Sequence, residues 1–125
     1  MYELTVDTHF SAAHSLKGYA GDCARLHGHT WSASVTVEVK TLDELGLSID
    51  FKDIAAVLDE IVARFDHRTL NDLDEFAGMN PTSENLARLL FELLYGRIAK
   101  DGIRVVSVTI GESERCRVTY RKDDG

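Results

Sequence analysis

The sequence contains little cysteine, little proline and no long apolar run. Two cysteines among 125 residues exclude a framework of several disulfides. The chain also contains a single proline. No apolar stretch approaches the roughly 20 residues that a membrane-spanning helix needs. The N-terminal segment, residues 1–7, alternates like a strand and lacks the basic and apolar parts of a signal peptide. We therefore expect a cytoplasmic protein.

Basic charge is also scarce in this chain. Lys and Arg number 14 against 21 Asp and Glu, which gives a formal net charge of −7. Such a chain lacks the broad basic face that non-specific binding of nucleic acids or anionic membranes requires. A local basic pocket can still bind an anionic small molecule, and Lys17, Arg25 and Arg68 are candidates for one.

The apolar pattern predicts one domain, residues 1–125, with the order strand, strand, helix, helix, strand, strand. The strands are expected at residues 2–10, about 27–40, at Val106, Val108 and Ile110, and at 116–121. One helix follows Asp50 as N-cap, with Phe51, Ile54, Leu58, Ile61, Val62 and Phe65 at helical spacing. The other follows Pro81, with Leu86, Leu89, Leu90, Leu93 and Leu94. This order predicts an α+β fold, an antiparallel four-stranded sheet backed by two helices.

The segment from Cys23 to His29 holds two of the five histidines and one of the two cysteines. A strand that begins at these histidines places His27 and His29 on the same face, because side chains alternate along a strand. Two such imidazoles can hold one metal ion, and His14 is the best candidate for a third. Three histidines and an open position are typical of catalytic zinc, although iron, cobalt and nickel also accept nitrogen ligands.

The same residues allow other interpretations. The histidines can be ordinary polar residues at a strand edge, or Cys23 can join them in a closed, structural zinc site that polarises no substrate. A thiol near a divalent metal can instead act as a base or nucleophile. Asp66 and His67 form either a proton-transfer pair or the end of a helix. Glu112 either binds the N–H groups of a planar heterocycle or is simply solvated.

Taken together, these residues resemble the 6-pyruvoyltetrahydropterin synthase and 6-carboxytetrahydropterin synthase family. The matching pieces occur in the family's order: residues 10–14, Cys23 through His29, Asp66-His67, residues 81–87 and Glu112. The three residues between Cys23 and His27 resemble the bacterial carboxytetrahydropterin branch. Gly111 before Glu112 and Trp31 after the histidines depart from the family's usual pattern.

The resemblance implies the tunnelling fold, in which the sheets of several subunits close into a barrel. It implies a homo-oligomer, a hexamer or tetramer, with active sites between subunits. The implied metal is Zn²⁺ at His14, His27 and His29. The implied catalytic residues are Cys23 as general base, Asp66 and His67 in proton transfer, and Glu112. The implied substrate-binding residues are Glu112, which anchors the pterin ring, with Thr82, Glu84 and Arg25.

The implied reaction is carried out on dihydroneopterin triphosphate. Its products are 6-carboxytetrahydropterin, acetaldehyde and triphosphate, and it belongs to 7-deazaguanine and queuosine biosynthesis. The alternative enzyme is a pyruvoyl-forming synthase or another pterin side-chain lyase. The alternative of another class is a non-catalytic module with a structural zinc bound by one cysteine and three histidines.

Overall fold

The computed structural model describes residues 1–21 and 24–122. Its strands are β1 (Tyr2–His14), β2 (His27–Val39), β3 (Arg68–Thr69), β4 (Ile103–Gly111) and β5 (Arg117–Arg121). Its helices are α1 (Phe51–Val62) and α2 (Ser83–Ile98), and two short 3-10 turns, Leu70–Asp72 and Asp74–Phe76, precede α2. No helix within the described residues combines the length and apolarity needed to cross a membrane. The predicted α+β architecture is confirmed.

The sheet has five strands in the order β3-β1-β2-β4-β5, so the prediction of four strands was one short. The missing strand, β3, is only two residues long and pairs in parallel with Ala12 and Ala13 of β1. The predicted end of the first strand at residue 10 was also wrong. β1 continues to His14 because Ala12 and His14 stay on the buried face that Phe10 occupies.

Both helices cover one face of this sheet and enclose the core. The predicted N-cap of α1 is confirmed, because the Asp50 carboxylate accepts the Lys52 N–H, and at the start of α2 the Thr82 hydroxyl accepts the Asn85 N–H. Phe51, expected on the apolar face of α1, is exposed at the start of the helix, whereas Ile54 in the same turn is buried. The fully buried large side chains include Trp31, Ile54, Leu58, Phe65, Leu86, Leu90, Leu94 and Ile110.

A β-bulge interrupts the alternation of β4. Thr36 pairs with Ser107 and the next residue, Val37, pairs with Val105, so Val106 has no partner on β2. Val105 and Val108 are therefore buried, whereas Val106 is only half-buried. Our expectation that Val106, Val108 and Ile110 share one face was wrong at Val106 for this reason.

The opposite face of the sheet is polar. The hydroxyls of Thr5 and Thr36 lie 3.0 Å apart across β1 and β2, and those of Thr109 and Thr119 lie 2.7 Å apart across β4 and β5. An antiparallel sheet of this kind buries one face and leaves the other to solvent. Within the described part of the chain, the side of β1 that faces away from β2 has no neighbouring strand along residues 2–10, and neither has the outer side of β5.

Candidate metal centre and active site

The end of the β1–β2 pair brings three histidines together, as the sequence predicted. His14 lies directly opposite His27, and His29 lies opposite the small residue Ala12, all on the helix-facing side. The small side chain of Ala12 leaves space for the ring of His29. The ring centroids of His14 lie 4.6 Å from His27 and 5.3 Å from His29, and those of His27 and His29 lie 4.8 Å apart.

Backbone carbonyls orient two of these rings. The Nδ1 of His14 is 2.7 Å from the carbonyl oxygen of Pro81, and the Nδ1 of His27 is 2.7 Å from that of Arg25. A carbonyl only accepts, so each Nδ1 carries the proton and donates it. The lone pair is then on Nε2, which leaves that atom free to bind a metal.

Glu112, predicted as a catalytic and pterin-anchoring residue, completes the group, and its position beside the histidines was not predicted from the sequence. Its Oε1 lies 3.4 Å from the Nε2 of His14 and 3.5 Å from the Nε2 of His29. The signal that could have found it is the pairing of β2 with β4. Gly111 lies opposite Ser32, so the next residue reaches the end of β2 where the histidines lie.

These four residues fit a metal ion. One donor atom from each of His14, His27, His29 and Glu112 lies within 4.8 Å of the others. Two ligand atoms about 2.0–2.1 Å from one tetrahedral zinc lie about 3.4 Å apart, which agrees with the Glu112 contacts. The Nε2 atoms of His14 and His29 are buried and lack a hydrogen-bond partner. Buried polar atoms rarely remain unpaired, so an ion bound here would satisfy them.

The electrostatics also favour neutral imidazole at this site. Burial is the main cause that lowers the pKa of His29, and the charges of His14 and His27 lower it further. The Glu112 carboxylate has the opposite effect. A lowered pKa keeps His29 neutral near pH 7, and the neutral ring is the form that binds metals.

Trp31 forms the inner wall of the centre. Its indole is fully buried and lies edge-on to His14 and His29, with ring centroids 5.0 Å and 5.3 Å away. Its Nε1 donates to the carbonyl oxygen of Ala12 at 3.2 Å, and its ring stacks on Phe10. The departure from the family pattern noted at Trp31 therefore adds a wall to the centre and removes none of its donor atoms.

Asp66 and His67 form the second predicted pair. The Oδ1 of Asp66 accepts the Ser11 N–H at 2.9 Å, and its Oδ2 lies 2.9 Å from the Nδ1 of His67. His67 adopts a left-handed φ of 58°, which is uncommon for a residue other than glycine, and its side chain is 81% exposed. α1 ends at Val62, so the alternative that His67 closes the helix is wrong.

An open cleft of about 500 Å³ joins the two clusters within one chain. His29 lines it together with His67 and Arg68, and the strand residues that complete the wall are Ser11, Ala12, Ala13, Gly28, Thr30 and Thr69. A larger cavity of about 880 Å³ lies beside Lys40 and Tyr95, and none of the predicted site residues lines it. Of these two cavities, the smaller one is therefore the one lined by predicted site residues.

The remaining predicted residues differ in what the structure says of them. Cys23, the predicted base, lies outside the described residues. Thr82 uses its hydroxyl to cap α2, directly after the Pro81 that binds His14. Glu84 and the side chain of Arg25 are exposed. Cys116 is exposed in the turn before β5.

The single tryptophan should report on the metal directly. We expect Co²⁺ added to metal-free protein to quench Trp31 emission, because the indole adjoins two of the proposed ligands. His27→Ala should weaken Co²⁺ binding by more than about 100-fold. Loss of a residue that only hydrogen-bonds to a metal ligand weakens binding by up to about 100-fold, and loss of a ligand itself should cost more. His9→Ala, at an exposed position on β1, is the matched control and should bind like the wild type. Equal affinities of the His27 and His9 variants would contradict the site.

Asp66 should stabilise the fold in a pH-dependent way. The hydrogen bond from Ser11, followed by that from His67, lowers its pKa below the ordinary 3.8. A lowered pKa contributes stability above the unfolded-state value, and this contribution is lost as pH falls through the folded-state value. Asp66→Ala should therefore have a lower free energy of unfolding than wild type at pH 7. The difference between the two free energies should narrow below pH 3.8. Urea unfolding of chelated protein measures this difference in the free energy of unfolding, with the exposed Asp59→Ala as control. A difference that does not change with pH would exclude stabilisation by the ionised Asp66 carboxylate.

Comparison with known proteins identifies a pterin synthase family and relatives within it. The family described as 6-pyruvoyl tetrahydropterin synthase matches residues 3–123. The 6-carboxy-5,6,7,8-tetrahydropterin synthase of Bacillus subtilis is 32% identical over 132 residues, covering 99% of this chain and 88% of its own. The dihydroneopterin monophosphate aldolase of Pyrococcus furiosus is 36% identical over 92 residues, 74% of each chain.

The structural comparison agrees with the sequence comparison. The 6-pyruvoyl tetrahydropterin synthase of Caenorhabditis elegans superimposes with a TM-score of 0.84 at 26% identity, covering 98% of this chain and 96% of that one. The match extends over both helices and the sheet, which confirms the predicted tunnelling-fold topology of the subunit. The chain belongs to the 6-pyruvoyl tetrahydropterin synthase family.

Proposed function

We propose that the protein is a zinc-dependent lyase that converts 7,8-dihydroneopterin triphosphate to 6-carboxy-5,6,7,8-tetrahydropterin. The reaction releases acetaldehyde and triphosphate, and we assign it to 7-deazaguanine and queuosine biosynthesis in the cytoplasm. The observation that carries the proposal is the convergence of three histidines and Glu112 inside a pterin synthase framework. The name of the Bacillus subtilis relative favours the carboxy branch.

The proposed metal is zinc, held by His14, His27 and His29. Three imidazole nitrogens and one carboxylate oxygen form a donor set that suits this borderline ion. A bound zinc supplies a Lewis acid that polarises an oxygen of the substrate and acidifies the adjacent C–H bonds. The carbonyls of Pro81 and Arg25 hold two of the three rings in place before any ion arrives.

Protons are moved by residues of the chain itself. His67 donates its Nδ1–H to Asp66, so its exposed Nε2 can accept a proton and the nearby carboxylate stabilises the resulting imidazolium. Cys23 is assigned as the base that removes the proton from carbon. Thr82, Glu84 and Arg25 remain the proposed pocket residues.

The site is proposed to be completed by a second copy of the chain. His67 is exposed on one side of the cleft, and a partner surface would exclude water from it. The unpaired outer sides of β1 and β5 provide the edges through which subunits can join their sheets. A hexamer or tetramer built in this way is the proposed assembly.

Glu112 has two possible roles in this scheme. The family resemblance implies that it anchors the heterocycle, whereas its Oε1 lies beside the Nε2 atoms of two proposed zinc ligands. Its side chain is 35% exposed, so an incoming ligand can reach the carboxylate.

The second candidate is an aldolase that acts on a pterin monophosphate. The Pyrococcus furiosus relative of that name is 36% identical to this chain, close to the value for the carboxy synthase relative. An aldolase would leave the phosphate on the released aldehyde, whereas the carboxy synthase releases triphosphate and acetaldehyde. The products therefore distinguish the two.

Identification of the products tests the proposal. Zinc-loaded protein incubated with dihydroneopterin triphosphate should yield the carboxypterin, acetaldehyde and triphosphate. Cys23→Ala should keep its zinc and lose turnover, whereas Cys116→Ala, the exposed-thiol control, should retain turnover. A pyruvoyl pterin without acetaldehyde would identify the other synthase branch. Loss of zinc from the Cys23 variant would indicate instead the structural site with one cysteine and three histidines.

Glu112→Gln should separate the two roles of Glu112. The amide keeps the size of the side chain and removes its charge. If the carboxylate binds the metal, Co²⁺ affinity should fall by about tenfold or more, as for loss of a charged interaction. If it only anchors the heterocycle, metal affinity should remain unchanged while KM rises. We expect the loss of metal affinity, and an unchanged affinity would return Glu112 to the anchoring role.

A further inference from the structure

Two asparagines that sequence reasoning did not single out hold the chain just after His14. The Asn71 Oδ1 accepts the Ser15 N–H at 2.9 Å, and its Nδ2 donates to the Ser15 carbonyl at 2.9 Å. The Asn80 Oδ1 accepts the Lys17 N–H at 2.8 Å, and its Nδ2 donates to the Lys17 carbonyl at 2.8 Å. We call residues 15–17 the arm, and Asn71 with Asn80 the clasp.

Each asparagine satisfies both backbone groups of one arm residue. A neighbouring strand would provide the same pairing, but the side chains provide it here without a strand. Loops usually leave such groups to water. The clasp therefore fixes the arm in one place, independently of any metal.

The clasp is anchored in the metal centre itself. Asn80 directly precedes Pro81, whose carbonyl binds the ring of His14. The carbonyl of Asn80 also accepts the side-chain N–H of Asn85 at 2.8 Å in the first turn of α2. One short segment therefore holds both the His14 ring and the arm that follows it.

The arm presents one cation near the centre. Lys17 is exposed, and three residues of chain span at most about 11 Å, so its backbone stays within that distance of His14. The charge of the whole chain is −7, so most of its surface repels an anionic ligand. A lysine whose backbone is held beside the site attracts such a ligand locally.

We infer that Asn80, supported by Asn71, is a positioning residue that holds Lys17 where it binds the phosphate tail of the substrate. The inference rests on the proposed function for its substrate and deepens it by assigning a phosphate contact. Lys17 makes that contact, and Asn80 acts through Lys17 alone. Asn80→Ala keeps the backbone carbonyls of residues 80 and 81, so it removes the two side-chain bonds to Lys17 and leaves the His14 contact in place.

The clasp can be tested without turnover. In metal-free protein, the Lys17 amide should exchange its hydrogen about tenfold faster in Asn80→Ala than in wild type, the cost of one lost hydrogen bond. Trypsin should also cleave faster after Lys17 in the Asn80→Ala variant. Asn71→Ala should speed exchange at Ser15, and Lys17→Gln should leave both amides unchanged. Equal exchange in all variants would overturn the clasp.

The phosphate contact is tested with inorganic triphosphate as the probe. Calorimetry on metal-free protein at low salt should show about tenfold weaker binding for Lys17→Gln and for Asn80→Ala. The double variant should bind no more weakly than either single variant, because the two residues act as a unit. Lys52→Gln, an exposed lysine on α1, should bind like the wild type.

Several outcomes would overturn this assignment. Wild-type affinity in Lys17→Gln, no binding of triphosphate by wild type, or additive losses in the double variant would each exclude it. If Asn80→Ala bound triphosphate like the wild type while its Lys17 amide exchanged faster, Asn80 would hold the backbone of the arm without positioning Lys17 for phosphate. That result would exclude the positioning role. Because no turnover is measured, these outcomes are distinct from a failure of the lyase reaction itself.

Discussion

The buried hydrogen bond between the His14 ring and the Pro81 carbonyl joins the two halves of the fold at the point where chemistry is expected. β1 ends at His14 and α2 begins just after Pro81, so the bond ties the sheet to the helical layer. A backbone carbonyl only accepts hydrogen bonds, which matches what the Nδ1–H of a metal-binding histidine requires. Without this bond, the ring of His14 could rotate, and its lone pair would no longer face His29 and Glu112.

The centre is a continuation of the hydrophobic core rather than a feature added to the surface. Phe10, Ala12 and His14 follow one another on the buried face of β1, and Trp31 and His29 do so on β2. The inner wall of the site, formed by His14 and Trp31, is therefore buried, which excludes water from that side and strengthens electrostatic interactions there. The polar face of the same strands carries no part of this group among the described residues.

The sequence predicted those features that depend on local periodicity. Alternation after His27 placed His27 and His29 on one face, and helical spacing identified both helices. Features that depend on contacts between distant segments were missed. The bulge at Val106 depends on pairing with β2, and Glu112 joins the histidines only because β4 lies beside that strand. The clasp on the arm was missed for the same reason, because asparagines in a polar loop carry no signal of their own.

The pairing of His14 with Pro81 has a consequence for the order in which the protein assembles. His14 and His27 face each other across one connection, so their strands can pair early, at a small entropic cost of loop closure. His14 and Pro81 are 67 positions apart, and their contact requires α2 to dock on the sheet. A chain that has formed only its first two strands holds its histidines without a fixed Nδ1 partner for His14. The orientation of His14 thus requires this long-range contact, so metal binding and folding are thermodynamically linked.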